Sequence, residues 1–159
     1  MTALVYLLAK NPQHIDKLRE ELKPLVPDEN AEYSSDSLAH LNHLNGVINE
    51  ALRLYPPVPT AIYRKTPSEG ITIDGTYIPG DMNIFCSQYA LGRSKFVFPN
   101  WRQSSLITVF RPLGESMYSR PNDFIPERWY SAPEMVKCKA AFAPFSLGSS
   151  CIMTAICES

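Results

Sequence analysis

Two stretches carry residue types whose spacing could do chemistry. In "FAPFSLGSSC" a turn at Gly148 runs into Cys151. A thiolate is a nucleophile and a metal ligand, and it needs a sharp turn to aim its sulfur. It also needs backbone N–H groups to moderate its charge and a helix start to keep it ionised. Taken alone, these residues favour the blander reading of a buried, inert cysteine. In "NEALRLYPPVP" Glu50 and Arg53 stand three apart, on one face of a helix. At a surface such a pair contributes about 0.2–0.5 kcal/mol. Val47, Ile48, Ala51, Leu52 and Leu54 surround this pair, so it is expected to be partly buried. A buried carboxylate needs more donors than one partner supplies. Arg128, held between Pro126 and Trp129 in "FIPERWY", is a candidate second fork for Glu50. Arg64 ends "PPVPTAIYR", a segment stiffened by three prolines. By itself it reads as a solvated strand arginine.

The elements that must position these residues are helices first, a small sheet next and coil last, which predicts an α+β fold. Residues 2–10 read as helix. "NPQHIDKLREELKPL" reads as a second, with Asn11 as its cap and Pro12 in its first turn. Ile15, Leu18 and Leu22 recur at helical spacing, and the pairs Asp16–Glu20 and Lys17–Glu21 fall on the wet side. "LAHLNHLNGVINEALRLYPP" reads as a short helix and a longer one with a broad apolar stripe, stopped by Pro56 and Pro57. "TAIYRKT" reads as a strand. "ITIDGTYIPGDMNIFC" reads as a hairpin about Asp74-Gly75, with a second turn at Pro79-Gly80. "PNDFIPERW" and the cysteine stretch read as ordered coil.

The bulk properties exclude several function classes. The chain has 159 residues, enough for one domain with a core. Fifteen Lys and Arg against sixteen Asp and Glu give a net charge of -1, so no large field recruits nucleic acid or an anionic membrane. Four cysteines at these spacings make neither a disulfide scaffold nor a structural zinc site of tight cysteine pairs. A reducing compartment is expected. "MTALVYLLA" is too short to span a membrane and lacks the marks of a signal peptide.

"NEALRLYPPVP", then "FIPERW", then "FSLGSSC" together resemble the C-terminal part of a cytochrome P450, with fungal members in particular. The family's Glu-x-x-Arg motif matches Glu50 and Arg53, and its Pro-Glu-Arg-Trp motif matches Pro126 to Trp129. "TALVYLLAKNPQHIDKLREEL" resembles the end of the long helix that crosses the haem and the helix after it. "GITIDGTYIPGDMNI" is similar to the family's small hairpin. The resemblance implies a mostly helical α+β fold over residues 1–159, a partial P450 domain with a cysteine-containing coil. It implies a Glu50–Arg53–Arg128 network that locks coil against helix beneath haem b. It implies that Cys151 is the axial iron ligand, reached through Phe145 and Gly148, and that Arg64 meets a haem propionate. Residues Val58 to Ile62 would line the substrate side. Electrons would come from NADPH through cytochrome P450 reductase, and the substrate would be a small lipophilic organic molecule. Full-length relatives would sit on the cytoplasmic side of the endoplasmic reticulum, and this chain as written would be cytoplasmic.

The sequence also departs from the family pattern Phe-x-x-Gly-x-Arg-x-Cys-x-Gly. Cys151 follows Gly148 by three positions instead of four. Ser149 and Ser150 stand where an arginine belongs, and Met153 replaces the closing glycine. Cys157 and Cys138 match less well than Cys151. Residues 92–119 have no counterpart in the pattern and read as an atypical insertion or a gene-model product. By the resemblance, the chain begins after the oxygen-activating residues of the long helix, so no residue is assigned a catalytic role and turnover by this chain is not expected. The alternatives are a catalytically silent P450 fragment and a small α+β interaction module without haem.

Overall fold

The computed structural model describes residues 1–25, 35–59, 63–73, 75–85, 87–93 and 117–145. Gly148, Cys151, Cys157, Cys86, Asp74 and residues 94–116 of the atypical stretch lie outside the described residues. Among the described residues are helices α1 (Thr2–Lys10), α2 (Gln13–Leu22), α3 (Ser35–Ala39), α4 (Asn42–Leu54) and α5 (Gln88–Arg93). None of them is long and apolar enough to cross a membrane. Four short strands, β1 (Arg64–Lys65), β2 (Ile71–Ile73), β3 (Thr76–Ile78) and β4 (Asn83–Ile84), form two antiparallel pairs. The α+β character expected from the order of elements is present.

The junction of α1 and α2 differs from expectation. Asn11 does not cap α2: its side-chain amide turns back and donates to the Leu7 carbonyl at 2.8 Å, satisfying the end of α1 instead. Pro12 provides the α2 cap position without a side-chain bond. The polar face of α2 is not simply wet either. Glu21 reaches across to α4 and accepts the N–H groups of His43 and Leu44, both at 2.9 Å. These are two of the orphan donors at the start of α4, and the carboxylate also suits the positive end of the helix dipole. A cap supplied by a distant helix leaves no local sequence signature.

Helix α4 is the centre of the molecule. Val47, Ala51 and Leu54 of its apolar stripe are buried, and Leu7 of α1 joins Ala51 and Leu54 in a core flanked by Leu4 and Phe124. Ile48 lies outside that core at 38 % exposure. Burial of each leucine is worth roughly 1.5–3 kcal/mol. Apart from Gly46, the rest of the buried face is polar: His43, Glu50 and Arg53. Prolines 56 and 57 follow the helix, and Arg93 of α5 finishes it by donating twice to the Leu54 carbonyl, at 3.1 and 2.9 Å. The Arg93 guanidinium sits between the rings of Tyr55 and Tyr89. Helix α5 is absent from the sequence reading because six residues give too little periodicity.

The expected hairpin is β2–β3, with Ile71 opposite Ile78 and Ile73 opposite Thr76, and Gly75 takes the left-handed φ of +75° that its turn requires. The second turn does not extend that hairpin. It returns β4 to pair with β1, Arg64 opposite Ile84. Thr66 pins the return by accepting Met82 N–H at 2.9 Å and donating to the Pro79 carbonyl at 2.8 Å. The expected strand "TAIYRKT" is limited to Arg64–Lys65 among the described residues.

The stretch expected as ordered coil contains a 3-10 turn, Pro126–Trp129, laid directly on α4. Gly46 permits the approach: a Cβ there would stand 2.8 Å from the Pro126 carbonyl oxygen and 3.2 Å from the Tyr130 ring. Alanine at Gly46 would gain about 1 kcal/mol of helix propensity. Displacing the turn's backbone would cost about 1–3 kcal/mol. Gly46→Ala is therefore expected to lower the urea midpoint. A raised midpoint would show that propensity outweighs the contact.

Candidate functional site: a buried carboxylate with two arginines

Glu50 and Arg53 occupy successive turns of α4, and Arg128 approaches from the 3-10 turn. The three are 0 %, 3 % and 0 % exposed. The Glu50 carboxylate accepts five hydrogen bonds. Oε1 takes Arg53 Nη2 at 2.8 Å, Arg128 Nε at 2.9 Å and Ile125 N–H at 3.0 Å. Oε2 takes Arg53 Nε and Trp129 Nε1, both at 2.9 Å. The Ile125 amide and the Trp129 indole were not foreseen. No sequence signal names them, since both depend on how the turn lands on the helix.

One carboxylate cannot neutralise two guanidinium groups. Backbone carbonyls take the remaining donors. Arg53 Nη1 donates to Gly92 O and, at 2.6 Å, to Pro121 O; its Nη2 also reaches Asp123 O at 3.1 Å. Arg128 donates to Ser119 O at 2.8 Å and Arg120 O at 3.3 Å. Arg120 holds a left-handed φ of +48°, and the bond from Arg128 helps hold that backbone in place. Helix α4, α5 and the whole coil 119–129 are thus tied to one charge cluster.

Tyr118 lies under Arg53, its ring centroid 5.0 Å from the guanidinium carbon. Burial pushes its phenol up to about 12, against the opposing pull of Arg53. An unfolded tyrosine ionises near 10. The native state therefore keeps its proton where the unfolded chain loses it. This contribution to stability is complete below pH 10 and fades between about 10 and 12. It amounts to roughly 2–3 kcal/mol. Tyr118→Phe is expected to unfold with a shallower loss of stability over that range than the parent chain. Parallel profiles would sink the assignment.

The network also reaches the coil that leads to the cysteine. The Trp129 ring packs on Phe142 with centroids 4.5 Å apart, and Phe142 stands three residues before Phe145. Phe142, with Ala141 and Pro144, faces Leu52 and Arg53 of α4 and Gly92 of α5 across a void of about 10 Å³, barely room for one water. Phe145 is half-buried. Gly148 and Cys151 continue beyond the described residues. Arg64 is half-buried in β1. Cys138 is a half-buried thiol on the coil before the turn Lys139–Ala141. The described residues therefore form a rigid helix-to-coil lock, followed by a packed coil that ends at Phe145. A cysteine and an arginine also suit iron and a carboxylate chemically.

The sequence profile of the family described as Cytochrome P450 matches residues 1–102. Among characterised proteins the chain is similar to tryprostatin B 6-hydroxylase of Aspergillus fumigatus, 46 % identical over 153 residues, which are 96 % of this chain and 24 % of that protein. It is 42 % identical to cytochrome P450 monooxygenase notG' of Aspergillus versicolor, with the same shares covered. It is 44 % identical to cytochrome P450 monooxygenase sthD of Phaeosphaeria nodorum, covering 96 % of this chain and 28 % of the relative. The chain thus spans about a quarter of the length of the relatives it matches. The profile match takes in the helix bearing Glu50 and Arg53, and with it the chain belongs to the cytochrome P450 family.

Proposed function

We propose that these residues serve a haem-thiolate monooxygenase, with the Glu50–Arg53–Arg128 network as its structural lock and Cys151 as the iron ligand. The observation that carries this reading is the Glu50 carboxylate with its five donors, which joins α4 to the turn Pro126–Trp129. Trp129 packs on Phe142, three residues before Phe145. A metal ligand on coil must be held by its surroundings, and this packing supplies the hold. Haem ligated by thiolate would supply the chemistry: one atom of O2 enters an organic substrate and the other leaves as water. Gly148 would turn the chain so that the Cys151 sulfur faces the iron. Arg64 would fork onto a propionate. A reductase carrying electrons from NADPH and a small lipophilic substrate belong to the same proposal, as does the cytoplasmic face of the endoplasmic reticulum for the longer relatives.

The loop from Gly148 to Cys151 is one residue shorter than the family pattern, and this favours a second reading in which the chain takes no haem and turns nothing over. Haem titration of the purified chain separates the two. The first reading expects stoichiometric uptake and a reduced CO complex with the red-shifted Soret band of thiolate ligation. Cys151→Ala should abolish that band, and Cys157→Ala should leave it. No uptake, or a band indifferent to Cys151, would overturn the assignment.

A further inference from the structure

Behind the Glu50 network lies a second cluster of buried polar groups, which that network does not use. His14 of α2 and His43 of α4 are each 5 % exposed, 29 residues apart in sequence. His14 Nδ1 faces His43 Nε2 at 3.4 Å. Glu127, from the same 3-10 turn that carries Arg128, brings Oε1 to 3.9 Å from His14 Nδ1. One ligand atom from each of the three side chains lies within 4.8 Å of the others. We propose that His14, His43 and Glu127 form a binding site for a divalent transition-metal ion of the zinc class, which clamps α2, α4 and the turn together.

The distances suit such an ion better than they suit a histidine hydrogen bond. Two nitrogens at 2.0–2.1 Å from a tetrahedral zinc stand about 3.4 Å apart. A good N–H···N bond is shorter, near the ~3.0 Å typical of protein hydrogen bonds. His43 is oriented as a ligand needs to be. Its Nδ1 lies 2.9 Å from the Tyr130 hydroxyl. With Nδ1–H donating to that oxygen, Nε2 keeps a lone pair directed at His14. In the metal-free protein His14 Nδ1–H meets this lone pair. With an ion bound, His14 carries its hydrogen on Nε2 instead.

The third ligand is contested. Lys17 Nζ holds Glu127 Oε1 at 2.6 Å, while its own side chain is half exposed. Lys17 raises no barrier to folding the site, but it competes with the ion for the carboxylate and repels its charge. It can withdraw into the open cleft that it lines with Glu20, Glu21, Asn42, His43 and Tyr130. Glu21 is not a free ligand, since both its oxygens cap α4. Two imidazoles and one carboxylate leave a fourth position for water, on the side of this cleft.

The competition gives a prediction of opposite sign at neighbouring residues. The purified chain, stripped of metal with a chelator, is titrated with Co(II) and then with Zn(II). Expected is one equivalent of cobalt with the visible bands of four-coordinate nitrogen and oxygen ligation, displaced by zinc. His14→Ala and His43→Ala should lose these bands. Tyr130→Phe should weaken binding about 10–100-fold, as loss of an orienting partner does. Lys17→Met, which removes a competitor and leaves every ligand in place, should tighten it severalfold. Glu127→Gln should weaken it, and this variant with Lys17→Met decides the matter if circular dichroism shows the histidine variants unfolded. No uptake, sulfur-to-cobalt charge-transfer bands that betray cysteine ligation, binding indifferent to Glu127→Gln, or weaker binding in Lys17→Met would each overturn the site.

Discussion

Glu50→Gln is expected to cost about 3–5 kcal/mol of stability. The substitution changes almost no volume, so the loss is electrostatic. Five donors converge on the carboxylate, four of them from side chains. If the glutamine oxygen takes the place of Oε1, it keeps Arg53 Nη2, Arg128 Nε and Ile125 N–H. Its NH2 then points at Arg53 Nε and Trp129 Nε1, donor against donor. The reverse placement is worse, because three donors then face the amide. In either case two guanidinium groups with almost no exposure lose the only carboxylate that contacts them among the described residues. Domains of this size are stable by about 5–15 kcal/mol in total, so much of that margin is at stake. Urea denaturation of the purified chain reads the effect. Arg19→Ala is the control: it breaks the Asp16–Arg19 pair, which is equally close in sequence but about three-quarters exposed, and should leave the midpoint where it is. A Glu50→Gln midpoint equal to that of the parent would mean that the network does not bear on stability.

The contrast between these two pairs shows what sequence can carry. Asp16–Arg19 and Glu50–Arg53 have the same spacing and opposite charges. Only the apolar neighbours of the second pair point to burial, and Glu50 and Arg53 are buried although Ile48 is not. Arg128 could be named as a partner because Pro126 and Trp129 stiffen its turn. Helices α1, α2 and α4 were readable from period and prolines, and the β2–β3 turn from its glycine. What sequence did not carry is what distant segments exchange. Asn11 looked like a cap for α2 and serves α1 instead, because a side-chain amide can reach either way from a junction. Glu21 looked solvated and caps a helix 22 positions on. Helix α5 has six residues, too few for a period, and is held by what Arg53 and Arg93 contact across to it. His14 and His43 meet only because α2 packs on α4.

Arg53→Lys should be nearly as damaging as the loss of the Glu50 charge, although charge and hydrophobic stem are both retained. Arg53 serves five acceptor atoms: both oxygens of Glu50 and the carbonyls of Gly92, Pro121 and Asp123. Its planar fork spreads donors over three nitrogens pointing in different directions. A lysine ammonium has three donors at one point. At least two of these five bonds are then lost; both Glu50 oxygens keep other donors, so the cost falls on the three carbonyls, at about 1–3 kcal/mol for each one left unsatisfied. The loss should also be local in character. Gly92 sits so close to α4 that a Cβ on it would stand 2.5 Å from the Arg53 carbonyl, and the bond from Arg53 to Gly92 O closes that same contact. Helix α5 is therefore expected to open first. Native-state hydrogen exchange should show protection falling in Gln88–Arg93 and in the coil 119–123, with α1 keeping its own. Uniform loss across α1 and α5 would mean that Arg53 supports the global fold and not this junction. Unchanged protection would mean that a point charge is all the site requires, and that the geometry of the fork is irrelevant to it.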